Sequence, residues 1–156
     1  MTRALELNDS ATEAEAEQAL AGSLETHLGY QLRRATAVVL SRLASSLSDL
    51  NLKITEASVL LMVDEHPDIT QSALGRMLAI HRANMAPLAA LLTERGLIER
   101  SRSEGRAQGL KTTSAGHDLA LRVRQRMDAQ EARVLPELSP DERSVLIGLL
   151  SRVWRG

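Results

Sequence analysis

The chain has 156 residues, a net charge of -1, one tryptophan, one tyrosine, no phenylalanine and no cysteine. That length fits one domain, or a small domain on a helical scaffold, and the core must be built from leucine, alanine, valine and isoleucine, which favours helices over an aromatic-rich sheet. Without cysteine, disulfides, thiol redox sensing and thiolate metal sites are excluded.

Residues 1–9 read as a mobile arm, and Ser10 with Glu13 forms a cap for a short acidic helix ending before Gly22. A long helix is expected from Leu24 to Leu50, with Leu28, Leu32, Ala35, Val39, Leu43, Leu47 and Leu50 spaced by three or four. Thr55 to Glu65 predicts another helix, ended by Pro67.

From Thr70 the pattern is that of a helix-turn-helix. Thr70 can cap a helix carrying Ala73, Leu74, Met77 and Leu78 at helical spacing, and Ala79, Ile80 and His81 make the connector. A second helix opens near Arg82, buries Met85, Leu88, Ala89 and Leu92, and stops at Gly96, which suits the left-handed position after a helix. Leu97 and Ile98 start a strand. Ser101 to Gly109, with Arg102 and Arg106 but no large apolar side chain, is the solvated tip of a hairpin, and Leu110 to Thr113 return from it.

Thr113 can cap a helix reaching Leu135 before Pro136, and Ser139, Pro140 and Glu142 form a capping box for a last helix with Leu146, Leu149, Leu150 and Val153 on one face. The fold expected is mainly α with a small β-hairpin wing: a winged helix-turn-helix lobe on a helical dimerisation scaffold. Its divisions are residues 1–23 (arm and acidic helix), 24–54 (scaffold and dimerisation helix), 55–112 (the winged lobe) and 113–156 (C-terminal scaffold and dimerisation helices).

Charge is distributed unevenly. Between Thr70 and Lys111 seven cations face three anions, a net of +4, whereas Met1 to Glu25 carries a net of -5. Cations concentrated on the helix-turn-helix are what phosphate neutralisation needs, although mixed charges also serve simply to solvate a surface.

Thr70, Gln71 and Ser72 with Leu74 and Leu78, the run from Glu94 to Arg100, and the segment from Leu110 to Gly116 together resemble the MarR family of dimeric winged-helix transcription regulators. Similar order extends outward to Leu28–Arg34 and to the C-terminal helix. Against the family pattern, Glu104, Gly105 and Arg106 stand where an acidic residue and two arginines are usual, and the hairpin is about two residues short. Thr112 replaces an apolar residue, and Pro87 replaces a polar or basic one inside the second helix.

The resemblance implies double-stranded DNA with a near-palindromic operator as partner, contacted by a homodimer. Candidate DNA-binding residues are Thr70, Gln71, Ser72, His81, Arg82, Asn84, Arg100, Arg102 and Arg106. Arg82 has the geometry to bridge guanine O6 and N7, and Asn84 either pairs with adenine or bonds its own backbone. Gln71 and Ser72 are better placed for phosphate. Leu20, Leu24, Leu146, Leu150 and Trp154 provide apolar surface for a two-fold interface, or else close back on their own core.

His27, Tyr30 and Arg34, three and four apart, are expected on one helix face, where they can bind an aromatic acid or its thioester, with Met62 and His66 contributing. Each also has a purely structural reading. The four histidines lack metal-ligand spacing, and no phosphate loop or nucleophile motif is present, so no enzyme, metal or cofactor is expected. A winged-helix module that binds protein instead of operator DNA is the competing class. With no signal pattern and no segment long enough to span a bilayer, the cytoplasm is the expected location.

Overall fold

The computed structural model describes residues 22, 24–101, 108–134 and 138–155. The acidic helix proposed from Ser10, the hairpin tip with Arg102 and Arg106, and Leu20 and Leu135 lie outside them. Six α-helices and one antiparallel sheet are present among the described residues: α1 (Leu28–Leu47), α2 (Ile54–Glu65), β1 (Ile69–Thr70), α3 (Gln71–Met77), α4 (Arg82–Glu94), β2 (Ile98–Ser101), β3 (Gly109–Thr112), α5 (Ser114–Val134) and α6 (Pro140–Arg155). The chain divides into two compact units, Met1–Ser41 and Arg42–Gly156.

The first long helix is shorter than its apolar stripe suggests. It starts at Leu28, not Leu24, because the His27 carbonyl accepts the first helical bonds, from the amides of Tyr30 (3.1 Å) and Gln31 (3.2 Å). Thr26, His27 and Gly29 are weak helix formers, and the Gln31 side chain caps the preceding turn at the Glu25 carbonyl (2.7 Å). At its far end, Ser46 and Ser48 bond back to the carbonyls of Leu43 and Ser45. There the backbone tightens into a 3-10 turn, Ser48–Leu50, and Asn51 leaves in the left-handed region at φ 51°. Of the stripe, Leu43, Leu47 and Leu50 are buried, whereas Leu28 is exposed.

Within the second unit, Leu47, Val59, Leu60, Val63, Leu74, Leu92 and Val123 are fully enclosed. They gather α2, α3, α4 and α5 onto one aliphatic core with the sheet at its edge. Met77 is a correction: although it falls at helical spacing, it is exposed, and Leu74 alone of α3 is buried.

A third strand accompanies the expected hairpin. The sheet order is β1-β3-β2, with Ile69 opposite Leu110 and Thr70 opposite Gly109. Ser101 and Gly109 are a correction too. They pair with each other in the ladder and are buried, so the hairpin's paired base extends into what reads as a solvated tip. Gly109 is required there: a Cβ would lie 2.5 Å from the Asp68 carbonyl oxygen and 2.7 Å from Ser101 Oγ.

Terminal signals are met where chemistry is local. Ser139 N–H and Oγ donate to Glu142 (2.8 and 2.7 Å), which keeps that carboxyl below its ordinary pKa and starts α6 at Pro140. Thr113 Oγ1 accepts from the Gly116 amide (3.0 Å) and donates to the Gly96 carbonyl (2.7 Å), tying the start of α5 to the end of α4. No described helix is long and apolar enough to cross a membrane.

Candidate nucleic-acid interface

The two helices of the motif are set by their caps and by a tight connector. Thr70 Oγ1 accepts from the Ala73 amide (3.2 Å) and starts α3. The Ile80 amide returns to the Gly75 carbonyl (2.8 Å), and a Cβ on Gly75 would come 3.0 Å from the Ile80 oxygen. Gly75 therefore permits the close turn. Ala79 crosses it with φ 51°, a region costly for a residue with a Cβ.

His81 has a structural task. Its Nδ1 accepts from the Ala83 amide (3.3 Å), capping α4, which runs unbroken through Pro87 to Glu94. Gly96 follows at φ 67° and ends it. Arg82, Asn84, Ala83, Ala86 and Pro87 are exposed on its first turns, while Met85 and Ala89 face the core.

Between α3 and α4 lies an open groove of about 860 Å³. Gln71, Ser72, Arg76, His81 and Arg82 contribute polar atoms, and Gly75, Ile80, Ala83, Met85 and Ala86 the rest. Arg76 donates to Ser72 Oγ (3.1 Å). On the hairpin, Arg100 donates to Gln108 Oε1 (2.8 Å), and Lys111 pairs with Glu99 directly across the ladder (3.0 Å). Of the candidate DNA-binding residues, Gln71, Ser72, His81 and Arg82 thus share one groove. Thr70 caps its first helix, Asn84 lines a separate surface hollow with Pro87 and Leu88, and Arg100 stands at the hairpin.

Two carboxylates with largely buried side chains, Asp64 and Glu56, were not singled out from the sequence. Asp64 on α2, its side chain 7% exposed, lies 2.8 Å from His117 Nδ1 and accepts from Arg124 (3.2 Å) and Thr112 Oγ1 (3.2 Å). Burial alone would raise its pKa, but the bonds from His117, Arg124 and Thr112 together outweigh that and hold it below the usual aspartate range. Thr112 itself was the available signal, because a hydroxyl at an apolar strand position needs a partner. Glu56 accepts from the Lys53 amide (3.2 Å) and from Arg95 (3.3 Å), joining the start of α2 to the end of α4. No comparable signal marked it.

The suggested effector residues divide between the two units. In the first, Arg34 donates to the Tyr30 hydroxyl (3.0 Å), which raises the guanidinium pKa further, and the guanidinium carbons of Arg33 and Arg34 lie 5.6 and 5.8 Å from the ring centroid. His27 immediately precedes the helix, and its carbonyl is the first helical acceptor. In the second unit, Met62 is half-buried, and His66 is exposed and caps the end of α2, its amide bonded to the Met62 carbonyl (3.0 Å).

No residue of α6 is buried. Trp154 is 67% exposed, Leu146 is exposed, Leu150 is half-buried, and Val145, Ile147, Leu149 and Val153 add further exposed apolar surface. Leu24 in the first unit is exposed as well.

A capped helix pair whose second helix presents its first turns to solvent, followed by a β-hairpin that pairs with the strand preceding the helices, defines a winged helix-turn-helix protein. The MarR family model matches residues 50–108. A putative transcriptional regulatory protein for the hcr operon of Thauera aromatica is 30% identical over 86% of this chain and 82% of its own. The HTH-type transcriptional repressor Rv2887 of Mycobacterium tuberculosis is 32% identical over 74% of this chain and 86% of its own. Its crystal structure with DNA superposes with a TM-score of 0.67 at 25% identity, covering 81% and 96% of the two chains. The repressor CouR bound to a 23-mer DNA duplex gives a TM-score of 0.78 at 30% identity, covering 85% and 95%. The chain belongs to the MarR family of transcriptional regulators, which are DNA-binding proteins and not enzymes.

Proposed function

We propose that this chain is a homodimeric, sequence-specific DNA-binding repressor released by a small aromatic acid or its coenzyme A thioester. The observation that carries the DNA-binding reading is the cationic groove between α3 and α4, with Arg82 exposed at the start of α4. Two copies related by a two-fold axis would set their α4 helices into successive major grooves about 34 Å apart and favour a near-palindromic operator. Thr70, Gln71 and Ser72 would meet phosphates, Arg82 and Asn84 base edges, and Arg100, Arg102 and Arg106 the flanking backbone or minor groove.

The exposed apolar face of α6, with Leu146, Leu150 and Trp154, supports dimerisation, and Leu20 and Leu24 are further apolar candidates for the two-fold interface. In this reading residues 1–23 are an arm, 24–54 and 113–156 the dimerisation scaffold, and 55–112 the DNA-binding lobe. The work site is the cytoplasm, where the operator is.

For the effector, support comes from the Tyr30 and Arg34 pair and from relatives. Rv2887 has been crystallised with salicylic acid, and CouR with p-coumaroyl-CoA. Arg34 would pair an acid group, with His27 and Tyr30 beside it in the same unit. A ligand that binds better to a form with mis-spaced α4 helices shifts the population away from the DNA-competent one.

The test is titration of the protein–operator complex with benzoates, cinnamates and their coenzyme A thioesters, alongside sedimentation of the free protein. Release by one member, lost in Arg34→Ala with operator affinity retained, supports the effector site. A complex unmoved by the panel rejects the effector class, and a stable monomer at micromolar concentration rejects the dimer.

A further inference from the structure

We propose that α4 reads thymine through its 5-methyl group, using the apolar side of the groove between α3 and α4. The inference rests on the DNA-binding reading and specifies which base chemistry that surface selects. Beyond Arg82 and Asn84, the exposed positions of α4 through its middle turns are Ala83, Ala86, Pro87 and Ala90, whose side chains have no donor or acceptor. Ile80 and Met85 line the groove together with Ala83 and Ala86.

A cytosine amine or a purine carbonyl pressed against this surface would lose its water without gaining a partner, which disfavours it. The thymine methyl is the one apolar feature that a base edge offers in the major groove. Short side chains also let the helix backbone come close, so the methyl can be covered instead of merely approached. Charge complementarity identifies DNA as the occupant: Arg76 and Arg82 rim the same groove and suit the phosphates on either side of the bases being covered. The specificity element is therefore apolar contact flanked by cations, with Arg82 adding the hydrogen-bonded position.

Duplexes are selected from a random pool with the full chain, and the winner is resynthesised with deoxyuridine for thymidine inside the half-sites. That change deletes the methyl and keeps every base-edge hydrogen-bonding group. Affinity is expected to fall about fourfold for each contacted methyl, the effect of one buried methyl-sized group. Deoxyuridine outside the half-sites should change nothing, and Ala83→Gly with Ala86→Gly should narrow the ratio of thymidine to deoxyuridine affinity. Equal affinity for the two duplexes overturns the inference and leaves DNA binding standing. Failure to select or bind any duplex overturns the DNA-binding reading beneath it.

Discussion

The backbone of Gly116, in the first turn of α5, lies directly against the carbonyl group of Leu97 at the end of the α4–β2 connection, so close that a Cβ at Gly116 would sit far inside contact distance. Thr113 tightens the same junction from the other side through its bond to the Gly96 carbonyl. Gly116→Ala should therefore force the start of α5 away from the winged lobe. Overpacking of this kind is expected to cost about 3 kcal/mol, measured as a lower urea midpoint with unchanged slope. A midpoint equal to wild type would contradict the close approach.

Asp64 joins α2 to the return strand of the wing and to α5 through Thr112, His117 and Arg124. Asp64→Asn should destabilise the protein by about 1 to 3 kcal/mol at neutral pH, with His117 and Arg124 half-exposed and so keeping the loss moderate. Because the folded carboxyl's pKa is lowered, its contribution is fully present above the ordinary aspartate value of about 3.9 and is lost as pH falls through the lowered one. The gap between wild type and variant should hold from neutral pH to about 4 and close below that. A gap that widens in acid would reverse the assigned sign.

Ala79 is the non-glycine residue that carries the helix-turn-helix connector through positive φ. Ala79→Gly relieves that strain at some cost in chain entropy, and a net gain of about 0.5 to 1 kcal/mol is expected. Thermal unfolding checks it. A lowered Tm would show that the alanine methyl makes a contact worth more than the strain.

Much of this architecture was legible in local chemistry. Thr70, Thr113 and the Ser139–Glu142 box mark helix starts by bonds within three residues, and Gly96 marks a helix end by its own conformation. What sequence spacing missed depends on distant partners. Strand β1 exists because Ile69 meets Leu110, and Asp64 is ordered by residues 48 to 60 positions away. The start of α1 at Leu28 was missed for a local reason, since periodicity cannot tell a first acceptor carbonyl from a first helical residue. At the candidate site, the sequence brought Gln71, Ser72 and Arg82 to attention by their place in the motif, but it concealed that His81 spends its Nδ1 on a cap. Contacts with DNA or an effector depend on partners outside the chain, so for those the sequence supplies residue chemistry alone.

Arg82 stands at the first position of α4, where a guanidinium can reach two acceptors on one guanine. Arg82→Ala is expected to relax preference at one position of each half-site, at a cost of about 1 to 3 kcal/mol for each guanine no longer bridged. Sequence selection with both proteins measures this. An identical consensus from the two would remove Arg82 from base reading.

On the proposed reading, the cationic helix-turn-helix lobe binds DNA as a dimer. The most direct test is the affinity of the full chain for the DNA upstream of its own coding sequence, measured by fluorescence anisotropy over a range of salt concentrations, with stoichiometry determined at low salt. Two chains per duplex, preference over random duplex, and a linear fall of log K with log salt as phosphate contacts release counterions are expected. Affinity no greater than for random duplex, or specific binding indifferent to salt, would contradict that reading.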